Sequence, residues 1–449
     1  MTENSDEIAR VELPKRALKL SGSTIAWCIS AFIAFAAAAI FWVPQILINN
    51  WLAGIKVDSS AARLAVGNAG QIVLFALGGI IALVGLALSL SRHALELQVA
   101  EADKDKESRR MKELIEQRRS DAEREFRTRF SQAVSLLSNV ERATTRQAGV
   151  YALGALADDW DNFGRQDERQ VCIDVLCGYL RSAWHTSGEA SGDEKRIRSA
   201  AFDLIATHLR PGSGAVNWNG AVFNLQGSII AFETNFRGIS LTSSTIDLRR
   251  STFDGAIASF AGSSFTGGVI QMDQSRFSDC EIRFEACTFA GTDVSFVDSK
   301  ILDAHFWMTN IALEGGSLSF SGAELHDGGP RFGGSKFNDG HLALDNMTLI
   351  GGMMSFSRTI FREASVEFSY SEFAGTAVTF NNSKFLGSLV NFSYAELNAR
   401  EVSFDDAAFI EGKLDFKKAV FNGGSLRINR KLIKAQPVTI EWKRQPEDD

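Results

Sequence analysis

The chain has 449 residues, 45% of them hydrophobic and 10% aromatic, with 54 acidic and 47 basic side chains for a formal net charge of −7. That length predicts about three domains of roughly 100 to 200 residues each, and the negative balance argues against nucleic acid as a partner. Five cysteines (Cys28, Cys172, Cys177, Cys280, Cys287) form no metal-type cluster and suit a reducing, intracellular compartment.

Residues 1–23 are expected to be a cytoplasmic N-terminal segment, followed by a membrane anchor over 24–92. Ser21 to Ile55 and Leu64 to Ser91 each lack charged residues, and each exceeds the roughly 20 apolar residues needed to cross a bilayer. Two transmembrane helices are predicted, near Thr24 to Ile46 and Val66 to Leu90. A cleaved signal peptide is the rival reading of the first, but its apolar stretch is too long and a second span comes after it. Arg10, Lys15, Arg16 and Lys19 precede the first span, and Arg92, Lys104, Lys106, Arg109, Arg110 and Lys112 follow the second. The loop between them has only Lys56 and Arg63. Basic flanks stay cytoplasmic, so both termini are expected on that side of the cell membrane.

From Glu96 to Arg129 the sequence alternates charge, with good helix formers and neither Gly nor Pro, which predicts a charged helical stalk over 93–129 continuous with the membrane helix. A parallel coiled coil is not indicated, because a charged gap from Glu101 to Arg110 breaks any heptad. Residues 130–211 then show apolar positions at helical spacing in four stretches, among them Ala133/Leu137, Val150/Leu153/Leu156, Val171/Cys172/Val175/Leu176 and Ile197/Ala201/Leu204/Ile205. They predict a helical module stacked in armadillo or HEAT fashion, able to cap the first coil of a solenoid C-terminal to it.

The C-terminal half is a repeat. From Phe236 to Ile433 an apolar anchor recurs every twelve residues and a second lies five positions after each, from Phe236/Leu241 and Leu248/Phe253 to Phe416/Phe421 and Ile428/Ile433. All thirty-four slots are apolar and hold twenty-two of the thirty-three Phe, which marks a solenoid over 212–434, with a cap and tail over 435–449. Three after the first anchor the residue is usually small (Ser251, Ser275, Ser371, Ser383), and two before it usually aliphatic (Ile246, Val294, Val390). Each unit therefore holds two inward pairs at strand spacing. Seven after the anchor Gly recurs (Gly255, Gly291, Gly375), where positive φ carries no Cβ penalty. Lys431 at the last small slot, ahead of Val438 to Trp442, suggests an atypical terminal coil with a covering strand.

These columns resemble the pentapeptide-repeat family, with Ser371-Glu372-Phe373-Ala374-Gly375 and Ser383-Lys384-Phe385-Leu386-Gly387 close to its consensus. The resemblance implies a right-handed four-sided β-helix of about 24 residues per coil, and a flattened coil of twelve stays open. At about 4.8 Å per coil the first makes a rod of about 40 Å and the second about 80 Å. The chain past Arg92 is also similar to membrane-anchored members of bacteria, through Arg129-Phe130-Ser131-Gln132-Ala133, Gly149-Val150-Tyr151-Ala152-Leu153 and the stretch Val171 to Leu180. Met308 to Leu313 and Pro330 depart from the pattern and are expected to be local irregularities.

No catalytic, cofactor-binding or metal-ligating residue is expected. The six His (His93, His185, His208, His305, His326, His341) make no HExxH, and no nucleophile elbow is present. Gly328-Gly329-Pro330-Arg331-Phe332-Gly333-Gly334 lacks the Lys-Ser/Thr and subsequent helix of a phosphate loop and is assigned to turns. The expected function is a non-catalytic membrane-tethered scaffold for a cytoplasmic protein. The alternative is a DNA-mimic regulator of a topoisomerase-type enzyme, as the resemblance to soluble members implies. Duplex DNA carries one charge per about 1.7 Å, so a rod of about 40 Å needs more than about twenty negative charges. From Gly212 onward the count is 28 acidic minus 21 basic, a net of −7.

Overall fold

The computed structural model describes residues 59–187, 189–428 and 442–443, with scattered positions between 27 and 50. The chain divides into two compact units, residues 1–118 and 119–449. Helix α1 is Ser59–Leu137, 79 residues long, so the apolar stretch, the charged stalk and the first apolar face of the helical module are one uninterrupted element. Among the described residues one helix, Leu77–Leu137, is long and apolar enough to cross a membrane. The two spans expected from sequence are thus narrowed to one there, and the first expected span is described only at scattered positions.

Asn139 ends α1. Its Oδ1 accepts the backbone N–H groups of Glu141 and Arg142, a local bond that competes with continued helix. Three more helices come next, α2 (Ala143–Asn162), α3 (Gln166–Arg181) and α4 (Glu189–Leu209). Their apolar faces meet in one buried cluster with the end of α1. There Phe126 stands edge-on to Trp160 at 4.9 Å, and the lack of a Cβ at Gly149 admits the backbone of Leu137, which an added Cβ would meet at 2.5 Å. Cys172 and Cys177 are buried in this core. Burial pushes both thiols up to about 12, which makes them inert packing groups.

The solenoid is a four-sided parallel β-helix of nine coils. Its first face runs from Val222–Asn224 to Lys413–Asp415, its second from Ile229–Ile230 to Ala419–Phe421, its third from Thr234–Asn235 to Ser425–Ile428 and its fourth from Ser240–Leu241 to Ala408–Ile410. Residues 24 apart pair in parallel, as Phe253 with Phe277 and Val366 with Val390. The coil is therefore 24 residues, and the twelve-residue alternative falls away: successive anchors lie on opposite corners.

Thirty-one of the thirty-four anchor slots are buried; Phe421 and Ile428 pack partly buried against the same core, and Ile433 lies outside the described residues. The rings stack coil on coil, Phe356 on Phe380 and Phe380 on Phe404 at 4.7 Å, Phe368 on Phe392 at 4.6 Å. Opposite columns meet edge to face across the interior, Phe368 at 89° to Phe380. At roughly 1.5 to 3 kcal/mol for each buried side chain of this size, the columns outweigh any surface ion pair at about 0 to 1 kcal/mol.

The small slot has a second role. The hydroxyl of Ser371 accepts the Met347 N–H (3.0 Å) and donates to the Leu344 carbonyl (2.8 Å); Ser275 and Ser383 do the same in other coils. Small size lets the chain turn, and the hydroxyl adds bonds to backbone groups of the corner in the preceding coil, tying successive coils together.

The irregularity expected at Met308 to Leu313 lies just upstream. Lys300–Trp307 and Glu324–Arg331 are eight-residue strands that run round the corner between the second and third faces and pair with each other. Pro330 takes the buried slot opposite Phe306.

The helical module closes the first coil. Gln170 uses its side-chain amide as a strand would, donating to the Val222 carbonyl (2.7 Å) and accepting the Val222 N–H (3.0 Å). Trp184 Nε1 donates to the Ile229 carbonyl, Ser199 Oγ to that of Glu233 and Arg210 Nε to that of Arg237. The first two strands of the exposed edge and the residues flanking the third are thereby engaged, while Phe202 packs on Phe232 and Phe236. At the other end Trp442–Lys443 pairs with Ala419–Val420, so the covering strand continues the second face; its neighbours on either side lie outside the described residues.

Candidate interaction surface

Inward columns are filled, so chemistry at the solenoid must come from outward positions, which repeat every coil as rows. Most rows hold small or charged residues that satisfy one another, such as Lys300 with Glu324 at 3.1 Å and Asn391 with Glu367 at 2.7 Å. One place on the third face differs. Arg283, Trp307 and Arg331 occupy the same outward position in three successive coils. The Arg331 guanidinium lies 4.7 Å from the Trp307 ring centre, and the His305 ring is 6.0 Å from it. Arg283 is held by Glu281, two residues back on the same strand.

His305 Nδ1, Trp307 Nε1 and Arg331 Nε are enclosed without a hydrogen-bond partner, three of seven such side-chain atoms among the described residues. An enclosed unpaired donor or acceptor costs about 1 to 3 kcal/mol, and three such atoms in one cluster mark the least self-satisfied part of the third face. Trp and Arg are also the residue types that dominate binding energy at protein interfaces. Sequence reasoning did not single out this cluster, since Trp307 and Arg331 become neighbours only once the 24-residue coil is known. A second aromatic feature stands on the corner between the first and second faces, where Tyr370 and Tyr394 stack at 4.8 Å with Lys418 Nζ 5.1 Å from the Tyr394 ring. Both tyrosines are exposed and have φ near +60°, a conformation that bulky residues rarely adopt.

The histidines are dispersed. His208 is buried, with Nε2 3.0 Å from Asp158, and stacks on Trp218 at 3.9 Å. His341 Nδ1 lies 2.6 Å from Ser365 Oγ, His326 faces outward beside Leu302 and Ile350, and His93 is 3.7 Å from Glu96 on α1. Among the described residues no group of three His, Cys, Asp or Glu is placed to hold a metal ion. Gly328 to Arg331 is strand and corner, not an anion cradle. A pocket among Arg127, Phe130, Trp160, Glu168, Val171 and Cys172 measures about 60 Å³, far below the roughly 300 to 1,000 Å³ of ligand sites. Cys280 and Cys287 are buried in the solenoid with thiols pushed up to about 12 by desolvation.

No protein-family model matches the chain, and no curated protein is similar to it.

Proposed function

We propose that this is a non-catalytic scaffold of the pentapeptide-repeat type, anchored at the cell membrane by its N-terminal apolar segments, with its solenoid presented in the cytoplasm to a protein partner. The observation that carries the reading is the Arg283–Trp307–Arg331 row with the neighbouring His305, in which Trp307 Nε1, Arg331 Nε and His305 Nδ1 are enclosed without a partner: a preformed flat surface with anchor-type side chains that the chain leaves partly unsatisfied. The uncharged stretch within α1 supports the anchor, and the excess of Lys and Arg after it supports the cytoplasmic side. A protein partner that turned the Trp307 and Arg331 side chains out of these enclosed positions would pair their donors with its own acceptors and recover the cost of those atoms.

Proximity labelling from a tag after Asp449 tests this. Partners should be labelled by the wild type and lost with the pair Trp307→Ala and Arg331→Ala, whose thermal unfolding should stay near wild type because both positions are outward. An unchanged labelling profile would remove the third face from consideration.

A further inference from the structure

The second face carries a charge pattern that is costly within one chain and complementary to a reversed copy of itself. Its first outward row reads, coil by coil, Arg276, Lys300, Glu324, Thr348, Glu372, Glu396. Two cations sit on adjacent rungs at one end and two carboxylates on adjacent rungs at the other, although like charges directly opposite on a ladder are destabilising. Arg276, Glu372 and Glu396 are exposed and have no side-chain partner among the described residues, and only Lys300 and Glu324 pair with each other. The second outward row is mainly apolar at its centre: Ser278, Leu302, His326, Ile350, Ala374, Asn398. Ile350 is 42% exposed there.

We infer that the second face is a self-association surface, on which two copies of this chain pack with their solenoid axes antiparallel about a two-fold axis running along the strands between the Glu324 and Thr348 rungs. That operator sets Arg276 against Glu396 of the second copy, Lys300 against Glu372 and Glu324 against Thr348. In the second row it sets Leu302 against Ala374 and His326 against Ile350, and at the corner it brings Tyr370 to Asp298 and Tyr394 to Gln274. Asp279, Asp303 and Asp327, which come after the second row, meet Ala399, Gly375 and Gly351, so no carboxylate faces another. The antiparallel register is unique, since a shift by one coil places Glu324 either on itself or on Glu372. A parallel arrangement reverses the strands and sets the first row against the largely uncharged second row, so it brings no opposite charges together. The next pair outward, Arg250 with Lys418, is like-charged and marks where the contact ends.

Five coil steps of about 4.8 Å make a strip about 24 Å long, at the small end of specific interfaces. The association is therefore weak and salt-sensitive, of the kind that a shared tether strengthens through effective concentration. It goes beyond the scaffold reading and does not rest on it, since it uses a different face.

Charge reversal with complementation is the test. The full chain in detergent should sediment as a concentration-dependent dimer that dissociates as salt rises. The pair Arg276→Glu and Lys300→Glu should weaken association at least about 10-fold, as should Glu372→Lys with Glu396→Lys. An equimolar mixture of the two reversed proteins should regain the wild-type affinity as a heterodimer. Thermal unfolding of each serves as the folding control. A wild type that stays monomeric at about 100 μM in low salt, a dimer insensitive to both reversals, or failure of the mixture to re-associate would each overturn the inference. None of those outcomes touches the third-face cluster, whose own readout is the labelling experiment above.

Discussion

At the scale of single residues, the two kinds of buried position in the solenoid should answer differently to truncation. Phe380 is fully buried, stacked on Phe356 and Phe404 and edge-on to Phe368. Phe380→Ala opens a cavity that the stiff neighbouring rungs cannot close, and a loss of about 3 to 5 kcal/mol is expected from denaturant unfolding. Ser371 leaves no comparable void, but its hydroxyl serves one backbone donor and one acceptor. Ser371→Ala should cost about 1 kcal/mol and speed hydrogen exchange at the Met347 amide. Equal losses for the two would mean that the rings are not close-packed along the axis. The contrast also separates what a sequence displays from what it conceals. The Phe columns are legible because burial tolerates only apolar residues. The serine ladder is legible only as smallness, because Ala323, Ala395 and Cys287 occupy the same column. The left-handed corners two after each anchor are hidden altogether, since Arg250, Asp298, Tyr370 and Lys418 share one backbone conformation without sharing a chemistry.

At the scale of elements, the helical module and the solenoid are one cooperative structure at their junction, joined through side chains that imitate backbone. Gln170 pairs both polar groups of Val222, and Arg198, fully buried, donates to the carbonyls of Leu180 and Ser182 at the end of α3 while paired with Glu194. Burial lowers the Arg198 pKa and the Glu194 carboxylate opposes that shift, so the guanidinium stays charged and supplies donors to carbonyls that the end of α3 leaves open. Gln170→Ala should leave Val222 with an open edge, which fast hydrogen exchange over Val222–Asn224 would report, while exchange in coils beyond Phe260 stays at wild-type rates because solenoid repeats contact only their neighbours. Protection at Val222 equal to wild type would show that the first coil holds its edge by itself. That the helices could cap a solenoid is implied by the apolar end any solenoid presents. Which residue would do so was not legible: Gln170 lies on α3 with no periodic signal, and its partner is 52 residues away. Likewise the four apolar stretches predicted four helices, but the first is the end of α1, because nothing between Glu96 and Leu137 interrupts a helix before Asn139 competes for the backbone.

At the scale of the whole molecule, the proposed anchor makes a statement about sidedness that its two termini can decide. Ten Lys and Arg flank the predicted pair of spans, four before Ser21 and six between Arg92 and Lys112, against two in the loop between them. Near the helix ends these residues resist translocation, so an N-terminal segment and a solenoid that are both cytoplasmic require an even number of crossings. The helix among the described residues that could cross supplies one, and the uncharged stretch from Ser21 to Ile55 is the only other one in the sequence as long. Impermeant thiol reagents applied to intact cells would read single cysteines placed at Thr2 and at Asp449 in a chain whose native Cys are replaced. The expected result is no labelling at either end until the membrane is opened. Labelling at Thr2 alone would mean a single crossing, with the solenoid still cytoplasmic and the scaffold reading intact. Labelling at Asp449 would place the Arg283–Trp307–Arg331 row outside the cell and remove every cytoplasmic partner from consideration.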